Sequence, residues 1–196
     1  MRLYTIGKAL CGIFFRAALR VEIEGKENLP AEGPVLICSN HVSNFDPPLV
    51  GTFIKRDVVF MAKEELVTNR FAGPIISRLE VMPVKRGMAD RQALKQGLQI
   101  LKDGKVLCLF PEGTRSKTGA IGEGLSGAGF FALRSSAVVV PVAITGEFKP
   151  FGKVKLSYGA PVNMSKLRIE KANAETATKV IMKSIRELKE SQVLLK

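Results

Sequence analysis

The sequence predicts an α/β fold: one domain with a central mixed, largely parallel sheet flanked by helices, and an amphipathic membrane-interface helix at its amino end. Three observations lead there. Short apolar runs at 35–38, 58–61 and 106–110 present no polar face, so each reads as a strand covered on both sides. Segments of helical period separate them, as at 89–102, where Leu94, Leu98 and Leu101 share one face. The 18 glycines and 10 prolines are spread along all 196 residues, so no stretch reads as a linker and one core is the simplest organisation.

The elements follow in order. Residues 1–20 carry Arg2, Lys8, Arg16 and Arg20 toward one side of a helical wheel, with Leu3, Ile6, Leu10, Ile13, Phe14 and Ala17 toward the other. The uncharged run from 9 to 15 is far shorter than the roughly 20 residues a membrane span needs. Arg16 and Arg20 follow the apolar part, against the order of a signal peptide. Two readings stand: a helix lying in the bilayer interface, or one docked on the protein's own core. Strands are expected at 21–24, 35–38, 58–61, 81–84, 106–110, 138–144 and 154–158. Helices are expected at about 46–54, opened by Asp46-Pro47, then at 71–79, 89–102, 124–134 and from about 173 to the end. In the last of these, Val180, Ile181, Ile185 and Leu188 face inward.

Charge narrows the partners. Thirty Lys and Arg against eighteen Asp and Glu give +12, which favours anionic partners: nucleic acid, anionic lipid or phosphorylated substrates. Two tyrosines and no tryptophan count against a base-stacking platform. One histidine and no paired-cysteine motif leave no metal constellation. Cys11, Cys38 and Cys108 sit among apolar neighbours and read as buried, reduced thiols of a cytosolic protein.

Three polar clusters follow expected strands. The first, Asn40-His41-Val42-Ser43-Asn44-Phe45-Asp46, holds the only histidine, with a carboxylate five residues on. Imidazole alone has an unperturbed pKa near neutrality, so proton transfer by histidine here means His41. The second is Lys85-Arg86-Gly87 and the third Glu112-Gly113-Thr114-Arg115-Ser116. In parallel α/β sheets ligands gather at the carboxyl ends of the strands. If these strands are parallel neighbours, the clusters converge on one rim.

Their wording and order resemble the glycerophospholipid acyltransferases, above all the bacterial 1-acyl-sn-glycerol-3-phosphate acyltransferases. His41 and Asp46 match the family's His-x-x-x-x-Asp motif, Val84-Lys85-Arg86-Gly87 its second motif, and Phe110-Pro111-Glu112-Gly113-Thr114-Arg115-Ser116 its third. Val140-Pro141-Val142 is similar to a fourth, Val-Pro-containing strand, and together the motifs cover about 35–145. The resemblance implies an acyltransferase domain at 21–196 behind a membrane-associating helix at 1–20. It implies acyl transfer from an acyl thioester, on coenzyme A or acyl carrier protein, to the sn-2 hydroxyl of lysophosphatidic acid, giving phosphatidic acid at the cytoplasmic face of the membrane. His41 is then the general base oriented by Asp46. Lys85, Arg86 and Arg115 hold the acceptor phosphate, and Glu112, Gly113, Thr114 and Ser116 shape the acceptor site. No metal or other cofactor is implied, because a thioester is already activated, and no nucleic-acid partner.

From physics alone, Glu112 equally reads as a carboxylate paired with Arg115 or Arg86, and Pro141 as an edge or strand-end proline. Asp46 before Pro47 also reads as a helix cap. The sequence departs from the family at 124–129, where many members carry a lysine and this chain has none, leaving Lys117 as a substitute. Other acceptors, glycerol 3-phosphate or another lysophospholipid, fit the same motifs. Two rivals remain. Gly124-Leu125-Ser126-Gly127-Ala128 approaches a hydrolase nucleophile motif, but its last residue is alanine and no strand leads into it. A non-enzymatic module binding membrane or nucleic acid would explain the charge but not the three clusters.

Overall fold

The computed structural model describes residues 2–68, 70, 73, 80–85 and 90–194. Helix α1 (Arg2–Ala18) leads into β1 (Arg20–Glu24) and a 3-10 turn at Lys26–Asn28. Then come β2 (Val35–Ser39), α2 (Asp46–Thr52), β3 (Val58–Lys63), the short α3 (Glu64–Val67), β4 (Val81–Val84), α4 (Arg91–Lys102) and β5 (Val106–Leu109). The chain ends with α5 (Gly127–Arg134), β6 (Val138–Gly146), β7 (Lys153–Tyr158), α6 (Ser165–Ile169) and α7 (Ala174–Leu194). The expected helix at 71–79 falls almost entirely outside the described residues. Sequence reading missed α3 and α6, which are too short to show a period.

The described strands form one sheet in the order β1-β7-β6-β2-β5-β3-β4. From β6 to β4 all neighbours are parallel. β7 runs antiparallel to β6, and β1 runs parallel to β7, so the sheet is mixed at one edge. Side chains alternate between two apolar layers, as the strand pleat requires. Leu36, Leu107 and Val139 meet Leu101 of α4, Phe131 of α5 and Ile181 of α7. Val35, Ile37, Val106 and Val140 meet Phe15 of α1 and Leu49 and Val50 of α2. The wholly apolar strands are therefore covered on both faces.

Pro141 is not at an edge or a strand end. It lies in the middle of β6 between β2 and β7, opposite Cys38. It is tolerated because its carbonyl faces β7 and accepts from the Gly159 N–H at 2.8 Å, just past the last β7 residue. Its nitrogen points the same way, so the β2–β6 ladder loses no bond.

Helix α1 docks on the core, but by its smaller side. Gly12 and Phe15 are buried and Gly7, Lys8, Cys11 and Ala18 half-buried. The Tyr4 hydroxyl accepts from the Val58 N–H, and Lys8 Nζ donates to the Arg56 carbonyl. Lys8 thus leaves the basic side expected of it, and desolvation pulls its pKa below the ordinary lysine value. Ile6, Leu10, Ile13 and Phe14 stay between 49% and 66% exposed. No helix of the described residues is long and apolar enough to cross a membrane.

Candidate active site

Because β2, β5, β3 and β4 are parallel neighbours, the segments that follow them share the carboxyl rim of the sheet. The first and third clusters meet there directly. Of the second, Lys85 alone is among the described residues; it directly follows β4, three positions from β2 in the sheet order.

β2 stops at Ser39 because Asn40 replaces its ladder. The buried Asn40 side chain accepts from the Ile144 N–H at 2.7 Å and donates to the Ile144 carbonyl at 3.0 Å. A side-chain amide here mimics one strand residue, and the main chain is free to turn away. Sequence reading gave Asn40 no role; the signal was an amide directly after a wholly apolar strand.

The turn places His41 over Asp46. His41 Nδ1 lies 2.7 Å from Asp46 Oδ2. The same oxygen accepts from the Val42 N–H at 2.6 Å and the Ser43 N–H at 2.8 Å. An oxygen already receiving two N–H groups is an acceptor, so the network assigns the proton to Nδ1 and the lone pair to Nε2. Nε2 has no partner among the described residues, and the imidazole is 14% exposed. Phe110 stacks on the ring, centroids 4.2 Å apart, and fixes its plane.

Asp46 is fully buried and does not cap α2, contrary to the cap reading. Its Oδ2 is committed to the preceding loop, and its Oδ1 has no partner among the described residues. The helix needs no side-chain cap. Asp46 is its first residue and its own N–H reaches the Ser43 carbonyl; Pro47 and Pro48 have no N–H to satisfy.

Glu112 is not paired with an arginine among the described residues. Its Oε1 accepts from the His41 N–H and its Oε2 from the Gly122 N–H, both at 3.0 Å. The Ser116 N–H donates to the His41 carbonyl at 2.8 Å. The third cluster therefore grips the main chain of His41 from both sides. Gly113 makes that grip possible: its φ of 67° is left-handed, and a Cβ there would sit 2.5 Å from Leu125.

The cations are held more loosely. Arg115 and Thr114 are exposed, and Arg115 has no ion-pair partner among the described residues. Lys85 is exposed, 3.9 Å from Glu64, with its main-chain N–H on Asp90. Arg86 lies outside the described residues. Lys117 is exposed. Gly124 and Gly129 serve packing: a Cβ on Gly129 would lie 1.9 Å from the Ala174 carbonyl oxygen, so α5 and α7 touch backbone to backbone there. Ser126 opens α5, exposed and without a hydrogen bond to His41, so the hydrolase reading has no geometry behind it. Burial pushes the thiols of Cys38 and Cys108 well above the ordinary value, which makes them poor nucleophiles, while Cys11 is only half-buried.

Known proteins resemble this chain in sequence and in fold. The sequence model of the Acyltransferase family matches residues 20–145. The 1-acyl-sn-glycerol-3-phosphate acyltransferase of Bacillus subtilis is 30% identical over 151 residues, 74% of this chain and 75% of its own length. A chloroplastic 1-acyl-sn-glycerol-3-phosphate acyltransferase of Arabidopsis thaliana is 33% identical over 76% of this chain, which spans only 43% of that longer protein. The crystal structure of the 1-acyl-sn-glycerophosphate acyltransferase of Thermotoga maritima superposes with a TM-score of 0.67, at 26% identity, covering 96% of this chain and 79% of that one. A histidine–carboxylate pair on the carboxyl rim of this sheet, the motifs that grip it and these relatives lead to one conclusion: the chain belongs to the acyltransferase family.

Proposed function

We propose that the chain transfers an acyl group from an acyl thioester to the sn-2 hydroxyl of 1-acyl-sn-glycerol 3-phosphate, giving phosphatidic acid. The observation that carries the chemistry is the 2.7 Å contact of His41 Nδ1 with an Asp46 carboxylate that two main-chain N–H groups also hold. That contact leaves Nε2 as the free base at the rim. The relatives' printed names support the choice of acceptor.

The steps follow from the residue types. His41 Nε2 takes the hydroxyl proton as the oxygen attacks the thioester carbonyl. Asp46 stabilises the imidazolium that forms. The carbon–sulfur bond then breaks, and the imidazolium returns its proton to the departing thiolate. The products are an ester and a free thiol, with no acyl-enzyme and no net redox change. Arg115, with Lys85 and Arg86, supplies charge-assisted bonds to the acceptor phosphate. Glu112, Gly113 and Ser116 act by placing His41.

The acceptor is a membrane lipid, and α1 presents a matching surface. Its large apolar side chains face outward, and residues 1–20 contain four cations and no acid. Such a helix lies in the headgroup region of an anionic membrane. The donor is acyl-CoA or acyl-acyl carrier protein, both anionic, with no further cofactor. A transfer assay on purified protein, with labelled acyl-CoA or acyl-acyl carrier protein, tests the reading against a panel of lysophosphatidic acid, glycerol 3-phosphate and a neutral lysophospholipid. Transfer to lysophosphatidic acid above the others is the expected result. Preference for either of the others sinks the acceptor assignment.

A further inference from the structure

We propose that the turn between β6 and β7, residues 147–152, is a second lipid-contact element beside α1, with Phe151 as its anchor in the membrane interface. The inference rests on the reading of the acceptor as a membrane lipid.

The topology puts this turn in the right place. β6 is parallel to β2, so the turn that follows it lies on the same rim as the His41–Asp46 loop. The carboxyl end of α1 reaches that rim as well, because β1 starts there. The two are bolted together through the main chain. The Phe151 N–H donates to the Ala18 carbonyl at 2.7 Å, and the Arg20 N–H donates to the Gly152 carbonyl at 2.9 Å. An object that meets one meets the other.

The side chains make sense only with an apolar partner. Phe151 is 72% exposed and sits at φ 59°, a left-handed conformation that is unfavourable for a bulky residue. Glycine would fold there at lower cost, and a phenylalanine pushed into water does nothing for the core. Phe148 in the same turn is half-buried, 6.0 Å from the ring of Phe45. Phe45 lies in turn 5.9 Å from Phe14 and 6.2 Å from Phe15 of α1. Phe45 belongs to the His41–Asp46 loop itself. The aromatic surface is therefore continuous from the exposed face of α1, across the catalytic loop, to the β6–β7 turn.

An anionic bilayer is the occupant that fits. Arg16 and Arg20 are exposed at the carboxyl end of α1, where the turn is bonded to it, and residues 1–20 contain no acid. The cations nearest the turn add little, since Lys149 is paired with Glu147 and Lys153 with Glu22. Aromatic rings suit the headgroup boundary, where an amphipathic surface sits without crossing. Two contacts at one rim also fix the tilt of the domain, which a single helix cannot do, and hold the Nε2 side of His41 at the height of a lipid's glyceryl hydroxyl.

The chain has no tryptophan, so Phe151→Trp creates a single fluorescent reporter at an exposed position where the fold is not at stake. Vesicles of phosphatidylglycerol and phosphatidylethanolamine should shift its emission to the blue, and brominated acyl chains should quench it. Ile169→Trp, on the exposed α6 that packs beside the start of β6, should keep the emission of water. Phe151→Ser should weaken vesicle binding by roughly tenfold, the worth of one buried phenylalanine. Water-like emission of Phe151→Trp on vesicles that do shift Leu10→Trp would overturn the second anchor while leaving α1 in the membrane. If neither tryptophan responds but transfer persists, the membrane reading fails and takes this proposal with it. A blue shift that grows with protein concentration and needs no vesicles would assign the surface to a second copy of the chain, and would also overturn the proposal.

Discussion

The two ends of the sheet treat their cations differently. At the amino end, Arg56 donates to the carbonyls of Pro30, Gly33 and Gly104 at 3.1, 2.6 and 2.6 Å, tying together the loops that enter β2, β3 and β5. Arg168 does the same for Ala132 and Ala137 before β6. At the carboxyl end, Arg115 has no ion-pair partner among the described residues, and Lys85 has only a long, exposed contact with Glu64. An arginine satisfied by carbonyls is structure, whereas one left in solvent at a strand-end rim is available to an anion. The anionic groups of that rim are the reverse. Asp46 and Glu112 are spent on main-chain N–H groups and on His41. The His41–Asp46 pair is fixed in advance by main-chain hydrogen bonds, whereas, among the described residues, the cations of the rim are left without such partners.

This contrast can be broken at five points, in falling order of effect. His41→Ala should lower kcat by about 10²–10⁴-fold and keep the fold, because Glu112 and Ser116 hold the main chain of residue 41 and not its ring; turnover near the parent's would remove His41 as base. Asp46→Asn should approach that loss while retaining the fold, since the amide oxygen still accepts from the loop but no longer stabilises an imidazolium. Arg115→Ala should raise the KM for lysophosphatidic acid by roughly tenfold or more, the worth of a charge-assisted bond, and leave the thioester KM nearly alone. An equal rise in both would take Arg115 away from the phosphate. Glu112→Gln should reduce kcat more than either KM, because an amide has one acceptor oxygen for two main-chain donors and His41 shifts; a selective rise in acceptor KM would instead place Glu112 against the acceptor. Arg56→Ala should have the smallest effect on catalysis and the clearest one on folding. A loss of roughly 2–3 kcal/mol in denaturant unfolding with unchanged KM values is expected, and an acceptor KM that moves would erase the distinction between the two ends.

Much of this was legible in the chain. Apolar runs such as 106–110 cannot be anything but covered strands, and the structure ends β5 at Leu109, one residue short. The helix at 89–102 is α4, capped at Asp90, whose side chain accepts from the Ala93 N–H. His41 and Asp46 were legible as a pair because five residues of loop cannot separate them far. Glu112 and Pro141 were not, because their partners are distant in sequence. Glu112 binds a main chain 71 residues away. Pro141 is tolerated because its missing N–H faces the end of β7, where its carbonyl alone is used, by the Gly159 N–H.

Helix α1 shows the limit most plainly. Its amphipathic pattern leaves open whether the apolar side faces the core or a membrane. The fold decided otherwise than either simple answer: the small residues and Phe15 go inward, and the large aliphatic side chains and Phe14 stay out.

By itself, the sequence determined the strands, most of the helices, the rim on which polar clusters would collect and the pairing of its one histidine with Asp46. These depend on the period and polarity of short segments, which local chemistry enforces. Only the tertiary structure decided what grips His41, which arginines are spent and which remain available, and that a turn at 147–152 stands beside α1 and the His41–Asp46 loop. Those depend on which distant backbones the sheet order brings within hydrogen-bond reach, and no local pattern records that order.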